Sequence, residues 1–269
     1  MVTVEEKLPD FWNLAKTIAY KLRANRIFNW QQLIQQASPL LEQGFIEAMD
    51  EVIPGWKKIA TVHDGQTATH TLLVFATCLN LPEYTLGELQ TCMELEWAAV
   101  LHDLDKDRAR NDTAHPFRSA AVAANIMPEL GFETLPNIHK ADLTAWSNLV
   151  LSAQRPDGER MLHDHSFLRE IINGLHECWG NDSSASRILK SVLLHQSLPT
   201  IRDWSNAVLL TDEELAYSLT LNDMKVLGPI MVADSDSWNI FAELRIPYLF
   251  ELRASNAETR RRIQSSIKG

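Results

Sequence analysis

Cysteine is scarce in this chain. Cys78, Cys92 and Cys178 are three in 269 residues, odd in number, widely spaced and without a C-x-x-C pair. That argues against a disulfide-built scaffold and an all-thiolate metal site, and leads to the expectation of reduced thiols in a cytoplasmic protein. Positive charge is in deficit: 25 Lys and Arg against 35 Asp and Glu give a net charge of -10. A broad nucleic-acid surface needs a basic footprint and is not expected, whereas a local basic pocket for a small phosphorylated substrate is compatible with this balance. No apolar run approaches the ~20 residues that span a bilayer, so no membrane partner is expected. The segment Met1–Lys7 lacks the basic start and apolar centre of a signal peptide. Glycine (10) and proline (11) are sparse, and no repeat or low-complexity linker divides the chain. Sustained two-residue alternation is missing as well, and with it the signal for a sheet.

What is present is helical periodicity. Residues 9–24 and 28–49 read as amphipathic helices, followed by a Pro54-Gly55 break and a turn at His63-Asp64-Gly65. Thr69 is the expected N-cap of a helix ending near Asn80, and Glu88 to Asp103 forms the next. After a polar loop at 106–113, Pro116 opens a helix to Leu130, with Gly131 as its stop and Pro128 as a candidate kink. Further helices are expected near 138–153, 164–179, 184–196, 211–227, 230–245 and 249–265, with a turn at Arg155-Pro156-Asp157-Gly158 and an interruption at Gly228-Pro229. The reading is an all-α fold: an N-terminal helical extension (1–58) packed on a helical domain (59–269).

His102-Asp103 closes the apolar run Leu95–Leu101, so an apolar helix carries a histidine and a carboxylate inward. His70 opens a second apolar run, and Asp234 sits in a third, Met231-Val232-Ala233. Consecutive antiparallel helices place an early residue of one beside a late residue of the next, which brings His70 to His102-Asp103. Mixed imidazole and carboxylate donors suit zinc or a first-row transition metal better than calcium.

This pattern resembles the signature of the HD-domain superfamily of metal-dependent phosphohydrolases. His102-Asp103-Leu104-Asp105-Lys106 is similar to its His-Asp-x-Gly-Lys, with Asp105 in the usual glycine position. His115-Pro116-Phe117-Arg118-Ser119-Ala120 resembles the start of its following helix, Ala233-Asp234 its closing element, and His63-Asp64-Gly65 with Thr69–Val74 the HD domain attached to bacterial CCA-adding enzymes. The resemblance implies an HD-type helical bundle with His70, His102, Asp103 and Asp234 as metal ligands. It further implies one or two divalent ions (manganese, iron, cobalt, nickel, zinc or magnesium), and Asp103 able to bridge a pair. His115 matches a second-metal position. His195 is the other candidate, because Ser152-Ala153 stands where some branches carry a His pair. His163-Asp164-His165 is a tempting cluster on a polar turn whose alternating side chains need not converge.

Lys106 is expected to contact phosphate, and Arg118 is the next choice, near the positively polarised start of its helix. Arg108 and Arg110 add to the local positive charge. The implied function is hydrolysis of a phosphomonoester or phosphodiester of a nucleotide or other small phosphorylated compound, by water activated on the metal. Two alternatives stay open: a non-catalytic HD-fold binding or signalling module, and a di-iron oxygenase, which needs both His115 and His195 as ligands.

Overall fold

Helix dominates because little in the chain interrupts it, and the few breakers that matter fall at helix starts. The computed structural model describes residues 2–106, 113–157, 160–200 and 208–266. The first five helices are α1 (Val4–Lys7), α2 (Pro9–Arg23), α3 (Trp30–Ala37), α4 (Gln43–Val52) and α5 (Trp56–Thr61). Five more follow: α6 (Gln66–Cys78), α7 (Pro82–Thr85), α8 (Leu89–Leu101), α9 (His115–Ile126) and α10 (Lys140–Ser152). A hairpin of β1 (Gln154–Asp157) and β2 (Arg160–His163) precedes α11 (Leu168–Trp179), α12 (Ser184–Leu194), α13 (Asp212–Ser218), α14 (Met224–Asn239) and α15 (Arg245–Ser266). Pro9, Pro82 and Pro116 each stand in a first turn, where the missing N–H has no intrahelical acceptor to lose. Thr3 with Glu6 and Thr211 with Glu214 close capping boxes at the starts of α1 and α13. The fold is all-α apart from the two-stranded hairpin among the described residues, and no helix is long and apolar enough to cross a membrane.

Four helices form the centre. α6, α8, α12 and α14 are buried on nearly every face; α6 and α8 read as apolar all round, whereas α12 sinks Arg187 and Lys190 into pairs with Glu94 and Asp223. α8 packs against α6, α12 and α14; α9 packs on α12, and α10 covers α9. The N-terminal helices join the same core. Phe11 of α2 meets Trp56 of α5 and Phe75 of α6 edge to face, with centroids 5.5 and 5.2 Å apart, an arrangement that adds about 0.5–1.5 kcal/mol per pair to the burial itself.

Several expected boundaries move, some for a local reason and some through a distant side chain. The helix over 28–49 divides at Ser38-Pro39, where a tight turn over Ser38–Leu41 precedes α4. Thr69 is not a cap: α6 starts three residues earlier, after Gly65, and His70 lies in its second turn. α9 stops at Ile126, so Pro128 lies beyond it rather than kinking it, and Gly131 (φ 93°) follows a separate tight turn. The stretch 211–227 is two helices, because Asp223 turns its carboxylate back onto the Thr220 N–H (2.7 Å) and hydroxyl (2.8 Å) while accepting Lys190 Nζ at 3.0 Å. Gly228-Pro229 does not interrupt α14. Asn256 of α15 donates to the Gly228 carbonyl at 2.9 Å, and a Cβ at 228 would crowd that amide. Finally, 154–157 is a strand rather than a turn, paired antiparallel with 160–163. Gly158 of the expected turn lies outside the described residues.

Candidate metal centre

Five elements meet at the centre, and three of them, α8, α9 and α12, end or begin there. α6 contributes His70, the end of α8 His102 and then Asp103, α9 its first residue His115, the end of α12 His195, and α14 Asp234. Before α6 the chain makes three successive left-handed residues, His63 (φ 50°), Asp64 (φ 55°) and Gly65 (φ 70°), the sharp reversal that aims α6 inward. All six side chains are buried: Asp103 and His102 have no exposure, and Asp234 is the most open at 9%.

Asp103 is shared by two groups of three. His70, His102 and Asp103 hold their donor atoms within 4.8 Å of one another, and so do Asp103, His115 and His195. Asp103 Oδ2 lies 3.3 Å from both His70 Nε2 and His102 Nε2. Its Oδ1 lies 3.1 Å from His115 Nε2 and 3.9 Å from His195 Nε2. Asp234 joins the first group, with Oδ1 2.8 Å from His70 Nε2 and 3.9 Å from His102 Nε2.

The outward-facing hydrogen bonds of these rings decide where their protons sit. His102 Nδ1 lies 2.8 Å from the Ala99 carbonyl and His195 Nδ1 2.8 Å from that of Val192, so both Nδ1 atoms carry hydrogen and donate. The Ser237 hydroxyl donates to the Asp234 carbonyl at 2.6 Å, so it accepts from His70 Nδ1 at 3.1 Å. Gln196 Nε2 reaches His115 Nε2 at 3.2 Å, and an amide N–H can only donate. The Nε2 atoms of all four rings face carboxylate oxygen, and His70 Nε2 lies at hydrogen-bond distance, 2.8 Å, from Asp234 Oδ1. His102 Nε2, His195 Nε2 and Asp103 Oδ1 are buried with no hydrogen bond at all. Imidazole nitrogens and carboxylate oxygens that converge in a water-excluded space, three of them without partners, are an arrangement a cation resolves, so the buried His and Asp groups fit a metal ion in donor type.

The protonation tendencies agree for three of the groups. Burial pushes His195 down to about 3 and, aided by the Lys106 ammonium, His70 down to about 4, which keeps both rings neutral. Burial alone would raise Asp103, but His102, Lys106 and His115 hold it well below the usual carboxylate range. His102 is the exception: burial disfavours its charge, yet the adjacent Asp103 carboxylate draws it above its ordinary value.

The expected phosphate contacts are engaged with protein. Lys106 Nζ donates to Asp103 Oδ2 at 2.7 Å. Arg118 donates from Nε to Asp105 Oδ2 (3.1 Å), from Nη2 to the Asp105 carbonyl (3.2 Å) and from Nη1 to Gln154 (3.1 Å), so it braces the loop after the His-Asp pair. Asp105 also pairs with Lys58 of α5. Arg108 and Arg110 lie outside the described residues. His163 stands apart from both groups of ligands, with its two nitrogens 2.9 Å from the carbonyls of Thr113 and Val208, and His165 pairs with Glu214. Ser152 bonds back to the Leu149 carbonyl. Sequence reasoning passed over Ser237, Gln196 and Trp238, whose indole stacks on His70 at 4.4 Å. Ser237 and Trp238 stand three and four residues after Asp234, the helical spacing that would have put them beside it.

Comparison of the chain with protein-family models, curated proteins and solved structures finds no match.

Proposed function

We propose that the chain is a metal-dependent phosphohydrolase of the HD type, cleaving a phosphomonoester or phosphodiester of a nucleotide or other small phosphorylated compound. The observation that carries this reading is the shared carboxylate: Asp103 faces two histidines with each oxygen, and three of the donor atoms have no hydrogen bond. A divalent cation held there would lower the pKa of a water molecule and withdraw charge from a phosphoryl oxygen. His70, His102, Asp103 and Asp234 would hold one ion, and Asp103, His115 and His195 a second. Lys106 keeps some access to solvent (16% of its side chain), so its ammonium can serve Asp103 and a phosphoryl oxygen in turn. Arg118 acts through Asp105, as a positioning residue rather than a phosphate contact.

The test is hydrolysis of a panel of phosphate esters by protein loaded with manganese, cobalt, nickel or magnesium, with Asp103→Ala alongside. Activity in the wild type and its loss in Asp103→Ala is the expected result. Turnover that survives in Asp103→Ala would exclude the centre from the reaction. A second reading, a di-iron oxygenase, is favoured by one observation: His115 and His195 both face Asp103 Oδ1, the fuller donor set such a centre needs. Oxygen uptake by the ferrous protein, without phosphate release from any ester, would select it.

A further inference from the structure

One face of α2 lies at the margin of the core, with Trp12 packed against it and the rest turned to solvent. Trp12, Lys16, Tyr20 and Arg23 follow one another along it at helical spacing. Opposite them stand the end of α6 and Tyr84 of α7, and between lies a cleft of about 670 Å³, a size typical of small-molecule sites. In a chain of net charge -10, the charged side chains lining this cleft are Lys16 and Arg23 alone. Its aromatic walls are held from behind: Glu96, almost wholly buried on α8, accepts from the Tyr84 hydroxyl at 2.5 Å and from Trp12 Nε1 at 3.4 Å. Asn80 closes the floor by donating to the Ala19 carbonyl at 3.0 Å. The Lys16 ammonium sits over the Trp12 ring, 4.2 Å from its centroid, and the Arg26 guanidinium over one face of the half-exposed Tyr20 ring at 5.5 Å.

A solvated helix face carries charges of both signs and does not commit a buried carboxylate to fixing two rings. Aromatic walls favour a planar ring, and two cations on a lining that itself carries no acid favour an anion. We infer that this cleft binds an anion carrying an aromatic ring, at a site distinct from the candidate metal centre. Leu79, on its wall, lies nine residues beyond His70, about 13 Å along α6 at 1.5 Å per residue. The inference is independent of the reaction proposed above.

Calorimetric titration of the full chain, as purified and after chelation, tests it with adenosine monophosphate and naphthalene-1-sulfonate. Both are expected to bind, while adenosine and ribose 5-phosphate, each offering one half of the chemistry, bind roughly tenfold more weakly or less. Lys16→Ala/Arg23→Ala and Trp12→Leu should each weaken binding by about tenfold, with unchanged circular dichroism, and Asp103→Ala should leave it intact. Failure of both ring anions to bind at millimolar concentration overturns the inference. So does binding indifferent to Lys16 and Arg23, or binding to the chelated protein that vanishes in Asp103→Ala.

Discussion

Adding a divalent ion to chelated protein should raise its melting temperature, and the size of the rise follows from the atoms that lack partners. His102 Nε2, His195 Nε2 and Asp103 Oδ1 are buried without hydrogen bonds, and each such atom costs about 1–3 kcal/mol. Together they withhold roughly 3–9 kcal/mol, comparable with the entire stability of an ordinary domain. A cation that binds the folded state alone returns part of this. At a thousandfold excess over its dissociation constant the gain is about 4 kcal/mol, or about 8 °C at roughly 2 °C per kcal/mol for a chain of this length. Differential scanning fluorimetry with each of manganese, iron, cobalt, nickel, zinc and magnesium measures the shift, and elemental analysis gives the stoichiometry. Because Asp103 belongs to both groups of ligands, Asp103→Ala should abolish the whole rise, whereas His195→Ala should remove only the share of the second ion. A shift below about 1 °C with every metal, or an undiminished shift in Asp103→Ala, refutes the reasoning.

Three further outcomes are expected. Ser237→Ala frees His70 Nδ1 from the acceptor that holds its ring and should weaken metal binding by about 10- to 100-fold, read by competition with a chromophoric chelator; unchanged affinity counts against that role. Asp223→Ala leaves the ammonium of Lys190 buried and unpaired and should cost about 3–5 kcal/mol in urea unfolding, most of it recovered by adding Lys190→Met, so a loss under about 1 kcal/mol contradicts the account. Burial lowers His195 from its usual 6.5 to about 3 and His70 to about 4, so the unfolded chain binds these protons first. The corresponding stability of the metal-free protein is fully present above pH 6.5 and drains away as pH falls towards 4 and then 3; a melting temperature flat from pH 7 to pH 4.5 in chelator would contradict it.

Much of the helical layout is visible in the chain because periodicity is a local property. The runs that carry His70, His102-Asp103 and Asp234 are apolar enough to be placed inside with no knowledge of their neighbours. Some of the errors fall where a distant partner outweighs local preference. Gly228-Pro229 reads as a break, yet α14 runs through it where Asn256 of α15 packs against Gly228 and donates to its carbonyl. A helix through 218–223 looks natural until Lys190 claims Asp223. The hairpin at 154–163 has four-residue strands whose pairing no alternation announces.

The amino-acid order by itself determined that the interior would be helical, and that histidines and aspartates would be drawn into it on apolar helices. It could not decide whether His195 belongs beside Asp103, or that Lys106 and Arg118 would turn to Asp103 and Asp105. Those are outcomes of packing: the Lys106–Asp103 pair at 2.7 Å is local, but Arg118 meets Asp105 at 3.1 Å and His195 approaches Asp103 to 3.9 Å only because separate helices converge there. Only the folded molecule sets those distances, since each helix takes its position from the others packed around it.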